Sequence, residues 1–83
     1  MSHRGYSRKF VVANKKADSF HVGVQVGRIC IKQDIPVQDV ADHLGVSRQA
    51  VYAWFLGKTQ PHPAQREKLF RLLDELCVKY KVS

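Results

Sequence analysis

A chain of 83 residues holds one small domain, whose core is only just sufficient for independent folding. Apolar residues at 45% and aromatics at 10% exclude a disordered chain. Fourteen Lys and Arg against seven Asp and Glu leave a net charge of +7, which favours an anionic partner, a polyphosphate backbone above all.

Residues 1–18 open the chain as a polar, basic stretch, read as an N-terminal arm ahead of a helical domain spanning 19–83. Arg4, Arg8, Lys9, Lys15 and Lys16 stand there against Asp18 alone, so the segment carries four of the seven net charges. Its apolar patch, Phe10, Val11 and Val12, fits a brief strand, a segment packed on the bundle, or part of a loose arm. A basic arm beside a reading head can follow phosphates or enter a minor groove. A solubilising tail accounts for the same residues.

Asp18 or Ser19 can cap a helix running to about Lys32. Val22, Val24 and Val26 alternate as a strand would, and Gly23 and Gly27 lower helix propensity. Val22, Val26 and Ile29 also share one helical face, with Cys30 beside it. If the segment is helical, the two glycines, four apart, let a neighbouring helix approach closely.

Residues 37–57, VQDVADHLGVSRQAVYAWFLG, read as two short helices across one tight turn. Pro36 lies near the first turn, where a missing N–H costs little, and Asp39 suits the positive end of the helix dipole. Val37, Val40, Ala41 and Leu44 form an apolar stripe, and Ala41 is small where the two helices must meet. Gly45 is expected in a left-handed conformation at the corner. Ser47 can cap the following helix through its hydroxyl. Val51 and Trp54 face the core, and Trp54 is too large to leave outside so small a bundle. Arg48, Gln49, Tyr52 and Ala53 then lie on the outer side, where Arg and Gln can make bidentate contacts to guanine and adenine edges. Gly57 stops this helix. Lys58–Pro61 is a basic turn placed to meet a phosphate, and Pro63 starts a last helix with Leu69, Leu72, Leu73, Leu76 and Tyr80 on one face. Phe70 and Cys77 widen that stripe.

The run Ala41, Gly45-Val46-Ser47, Val51, Trp54, Gly57 and Pro61 resembles the helix-turn-helix of the phage Cro and repressor class, also called XRE-like. The resemblance covers roughly residues 26–61. It implies an all-α bundle of four or five helices of the lambda-repressor-like type, whose helix after Ser47 enters the major groove. Carried over by position, the base-reading candidates are Ser47, Arg48, Gln49, Tyr52 and Ala53. The phosphate candidates are Lys58 and Thr59, with Arg4, Arg8, Lys9, Lys15 and Lys16 from the arm. The chain departs from the family pattern in three places. Val37 stands where Gln is frequent, Phe55 and Leu56 follow the Trp where polar residues are usual, and 63–80 reads as one long helix in place of two short ones.

Phe55 and Leu56 either fold back on the last helix or meet another protein, most simply a second copy. Palindromic operators call for a two-fold dimer with reading helices about 34 Å apart. Phe55, Leu56, Phe70 and Cys77 are accordingly the candidate dimer contacts.

Cys30 and Cys77 sit in apolar helical contexts without paired spacing and read as buried reduced thiols. His3, His21, His43 and His62 lack metal-ligand spacing. There is no Gly-rich phosphate loop, nucleophile motif or close carboxylate pair, so neither enzymatic activity nor a cofactor is expected. No apolar run approaches the ~20 residues of a membrane span, and the N-terminus lacks the order of a secretion signal, so a cytoplasmic setting is expected. The resemblance implies a sequence-specific duplex-DNA-binding transcriptional regulator, Cro-like, a repressor of phage or bacterial origin. The alternative is a small adaptor that uses the same fold to bind a protein of the transcription machinery. RNA binding is less well supported, because no aromatic stacking platform is evident.

Overall fold

A computed structural model describes residues 6–81 and shows, among them, five α-helices: α1 Arg8–Lys16, α2 Val22–Lys32, α3 Val37–Leu44, α4 Arg48–Phe55 and α5 Pro63–Tyr80. The all-α bundle expected from the sequence is the fold observed. α2 is its centre, packing chiefly on α5 and α4, while α3 pairs with α4.

The strand-like reading of α2 has a physical origin. Val22, Gly23, Val24, Val26, Gly27, Ile29, Cys30 and Ile31 are all buried, a wide arc that leaves only Gln25, Arg28 and Lys32 as a narrow polar stripe. An apolar face so wide makes the 3.6-residue pattern hard to tell from alternation. The close approach expected of its glycines is present. A Cβ on Gly23 would stand 2.6 Å from the Trp54 carbonyl oxygen, and one on Gly27 would stand 2.7 Å from the Phe55 ring. Both are too short for a real contact, so α2 and α4 meet at a distance only glycine permits.

α2 begins at Val22, three or four residues later than the expected cap. Asp18 instead accepts a hydrogen bond from the Phe20 N–H at 2.9 Å, and its carbonyl accepts from His21 N–H at 3.2 Å. The side chain thus closes a turn of its own ahead of the helix. At the other end Asp34 adopts φ +59°, and bonds from Ile35 N–H to Cys30 O and from Asp34 N–H to Ile31 O complete a left-handed cap.

Within the expected arm, Arg8–Lys16 form α1 packed on the bundle, one of the three readings open for Phe10, Val11 and Val12. Ser7 caps this helix by accepting from Phe10 N–H at 3.1 Å, and Val11 and Asn14 are buried by it. Tyr6 is buried as well, and its hydroxyl donates to Ile35 O at 2.7 Å. Arg28 reaches from α2 to the exposed carbonyls at the end of α1, donating to Ala17 O at 2.9 Å and Lys15 O at 3.2 Å. A nine-residue helix is not stable alone in water. Here it is held by an apolar face, a buried amide and a cation at its C-terminus. Residues 1–5, with the Arg4 of the expected arm, lie outside the described residues.

α5 is the single long helix expected, with Leu69, Leu72 and Leu76 buried and Leu73, Cys77 and Tyr80 partly covered. Cys30 is fully buried, whereas Cys77 is only half-buried, short of the buried thiol expected. Both cysteines are free.

Candidate nucleic-acid interface

The turn between α3 and α4 is built as its residues require. Ala41 is 1% exposed at the helix crossing. Gly45 has φ +70°, and Val46 N–H bonds back to Ala41 O at 3.0 Å. No atom lies within 4 Å of a Cβ built on Gly45, so glycine is needed there for its backbone angle and not for space. Ser47 Oγ accepts from Ala50 N–H at 3.2 Å and caps α4.

Val51, Trp54 and Phe55 point α4 into the core, which turns Arg48 and Gln49 outward as exposed residues. Tyr52 is 37% exposed, and Ala53 is half-buried beside it. Four of the five candidate base-reading residues thus share one projecting face. The fifth, Ser47, is exposed, but its hydroxyl is engaged in the cap.

α4 ends in a tight left-handed cap in which Lys58 N–H bonds to Ala53 O at 3.0 Å and Gly57 N–H bonds to Trp54 O at 3.1 Å. Lys58 and Thr59 emerge exposed immediately after it. Gln60 Nε2 lies 2.9 Å from His21 Nδ1, tying this turn to the start of α2. No Asp or Glu occurs from residue 43 through residue 66, a stretch that includes Arg48, Lys58 and Arg66. Among the described residues the ion pair within 4.0 Å is Arg71 with Glu67, on the exposed side of α5. The cations on the outward side of α4 and the turn after it are therefore not neutralised by a neighbouring carboxylate.

Arg8, Lys9, Lys15 and Lys16 are all exposed on α1, but they do not lie together. Phe10 packs edge-on against Tyr52, with ring centroids 5.2 Å apart, which sets the N-terminal turn of α1 beside the outward face of α4. Lys15 and Lys16 follow five and six residues later, about 7.5–9 Å further along the helix. Along the helix axis, Arg8 and Lys9 are the α1 cations nearest Phe10.

Phe55 departs from its expected role. It is 0% exposed, with Gly27 and Asn14 both close to it. Asn14 Nδ2 donates to the Phe55 carbonyl at 2.6 Å. A side chain so enclosed offers no dimer surface. Leu56 and Cys77 are half-buried and Phe70 is 47% exposed, so these three retain access to solvent.

Tyr6, Phe10 and Asn14 support the site without having been singled out for it. The signal for their presence was Phe55 itself, an apolar residue where the pattern is polar, which requires a cover from elsewhere in the chain. Nothing in the sequence marked Asn14 as buried.

No cluster of three or more His, Cys, Asp or Glu among the described residues is arranged to hold a metal, and no described helix is long and apolar enough to cross a membrane. In comparisons with known proteins, residues 27–76, more than half of the chain, match a family model described as helix-turn-helix. No curated protein and no solved structure matches the chain.

Proposed function

This chain belongs to the XRE/Cro-type helix-turn-helix family, a non-enzymatic DNA-binding family, and from that premise we propose that it is a repressor that binds one operator sequence through α4. The observation that carries this reading is the outward face of α4. Arg48 and Gln49 project from its first turn, and no carboxylate occurs between residues 43 and 66. Arg is suited to the O6 and N7 of guanine and Gln to the N6 and N7 of adenine, both in the major groove. Tyr52 adds a ring that can meet a thymine methyl. Lys58 and Thr59 at one end of the face, and Arg8 and Lys9 beside it, supply phosphate contacts that fix register without choosing sequence.

A two-fold dimer belongs to this proposal, with Leu56, Phe70 and Cys77 as its contact residues. Selection from randomised duplex DNA tests the reading directly. An enriched motif, palindromic if the dimer reading holds, is the expected result. Uniform, salt-sensitive binding to all sequences would defeat it.

A second reading, docking on a protein of the transcription machinery, draws support from one feature. Phe20 is 83% exposed and Phe70 is 47% exposed, and they line a cleft of about 200 Å³ with Pro61 and Arg66. Arg66 lies over the Phe70 ring at 5.6 Å. Loss of partner binding but not of DNA binding in Phe20→Ser would favour it.

A further inference from the structure

The matched family segment begins at residue 27, yet the reading face receives a contact from well upstream of it. Tyr6 and Phe10 stack with centroids 5.7 Å apart, and Phe10 meets Tyr52 edge-on at 5.2 Å. The Tyr6 hydroxyl is fixed in turn by its 2.7 Å bond to Ile35 O, one residue before the Pro36 that caps α3. Three rings therefore run from the start of α3 to the exposed face of α4. Tyr6 is buried and Phe10 half-buried, so the inner part of the row is packed into the bundle, while Tyr52 keeps solvent access.

An unrestrained tyrosine on an exposed helix face samples several side-chain rotamers and loses that freedom on binding. A ring with an edge-to-face partner is already biased toward one orientation and loses less. We propose that Phe10 is a positioning residue for base readout. It holds the Tyr52 ring in one orientation on the reading face, so that sequence preference at the base pairs Tyr52 meets depends on α1. The inference rests on the DNA-reading role given to α4 above. It goes further in assigning part of the specificity to a segment outside the helix-turn-helix.

Selection from randomised duplex DNA with the parent, Phe10→Leu, Phe10→Tyr, Tyr52→Ala and the Phe10→Leu/Tyr52→Ala double variant tests it. Tyr52→Ala identifies the base pairs that Tyr52 reads. Phe10→Leu keeps an apolar side chain but removes the ring, and is expected to lower preference at those same base pairs by about fivefold or more, while the Arg48 and Gln49 positions hold. Phe10→Tyr keeps the edge-to-face contact and should restore the parent preference. The double variant should be no less selective than Tyr52→Ala alone.

A parent motif reproduced unchanged by Phe10→Leu overturns the inference and leaves the DNA reading standing. So does a loss spread evenly over all positions. A parent that selects no motif at all defeats the DNA reading, and this inference with it. Should Phe10→Leu fail to fold, the proton spectrum of the parent decides. Ring-current-shifted Tyr52 resonances with cross-peaks to Phe10 support the inference, and freely averaged Tyr52 resonances overturn it.

Discussion

The Asn14 amide and the Phe55 carbonyl, 41 residues apart in sequence, meet at 2.6 Å inside the bundle. The Phe55 carbonyl lies at the end of α4, where no further turn exists to satisfy it. Asn14 supplies the missing donor, and its side chain also approaches Val24 O at 3.4 Å. One amide on α1 thus closes the end of the reading helix and touches the central helix too. Asn14→Leu leaves the buried Phe55 carbonyl unpaired and is expected to lower stability by about 1–3 kcal/mol, read by chemical denaturation. An unchanged midpoint would show that water reaches that carbonyl.

Gly27 and Gly45 are both intolerant of a side chain, for opposite reasons. Gly27→Ala drives a methyl against Phe55 and Asn14, and overpacking of that kind costs about 1–3 kcal/mol. Gly45→Ala meets no atom and pays only for its left-handed backbone, about 1–2 kcal/mol. Asn tolerates that backbone better than Ala, so Gly45→Asn should recover part of the loss, whereas Gly27→Asn should be worse than Gly27→Ala. Thermal melts of the four variants give the order, and rescue at Gly27 by Asn would contradict the packing.

On the reading face, Arg48→Ala and Gln49→Ala are each expected to weaken binding to the selected operator by about 1–3 kcal/mol without moving the thermal midpoint. Gel-shift titration of both against operator and scrambled duplex separates base reading from general affinity. Full retention of operator affinity in both would remove α4 from that role.

Because α1 is part of the bundle, its cations are best tested by neutralisation and not by deletion. Arg8→Gln and Lys9→Gln should leave sequence preference intact while lowering affinity for all duplexes. The slope of log affinity against log salt should fall by about 0.9 for each phosphate that the variant no longer neutralises. The same changes at Lys15 and Lys16, further from Tyr52, should have the smaller effect. Equal slopes in all four variants would mean that α1 does not approach the backbone through its N-terminal turn.

Burial raises the Cys30 thiol from near 9 to about 12. Below pH 9 the thiol is protonated in folded and unfolded chains alike, and it adds no pH dependence. Between about 9 and 12 the unfolded chain releases the proton that the folded chain retains, so stability falls as pH rises, by up to about 1.4 kcal/mol per pH unit. Cys30→Ala should lose that slope even though it lowers stability overall. Burial also raises the Tyr6 hydroxyl, and its contribution to the decline begins only near pH 10. In native protein a thiol reagent should reach the half-buried Cys77 before Cys30.

The legible parts of the chain were those where a residue answers to its own neighbours. Gly45, Ser47 and the α3 stripe each satisfy a local requirement, and together they located the turn to the residue. The same holds for Pro63 and the leucines of α5. α2 was ambiguous because its buried arc is so wide, with only Gln25, Arg28 and Lys32 left uncovered, that both periodicities fit its valines. α1 stayed undecided between a strand, a packed segment and a loose arm because its hold on the bundle is long-range. Its partners are Tyr52, Phe55 and Arg28, Tyr6 just ahead of it is held by Ile35, and its central buried group is a polar Asn that composition would place outside. Phe55 was misassigned to a surface for the same reason. Its cover comes from Gly27 and Asn14, 28 and 41 positions away, and without them an apolar side chain there looks exposed.

The fit of Phe55 under α1 means that the reading helix is not a transferable cassette. Cut from this bundle and grafted onto another of its family, α4 would bring a bare phenyl ring and an unpaired carbonyl, with neither Asn14 nor Gly27 to receive them. A fragment trimmed to residues 27–76 fares no better, since it starts inside α2 and leaves α1 behind. On the proposed function, retargeting to a new operator is therefore best confined to Arg48 and Gln49, both exposed, whose side chains no other element of the fold has to accommodate.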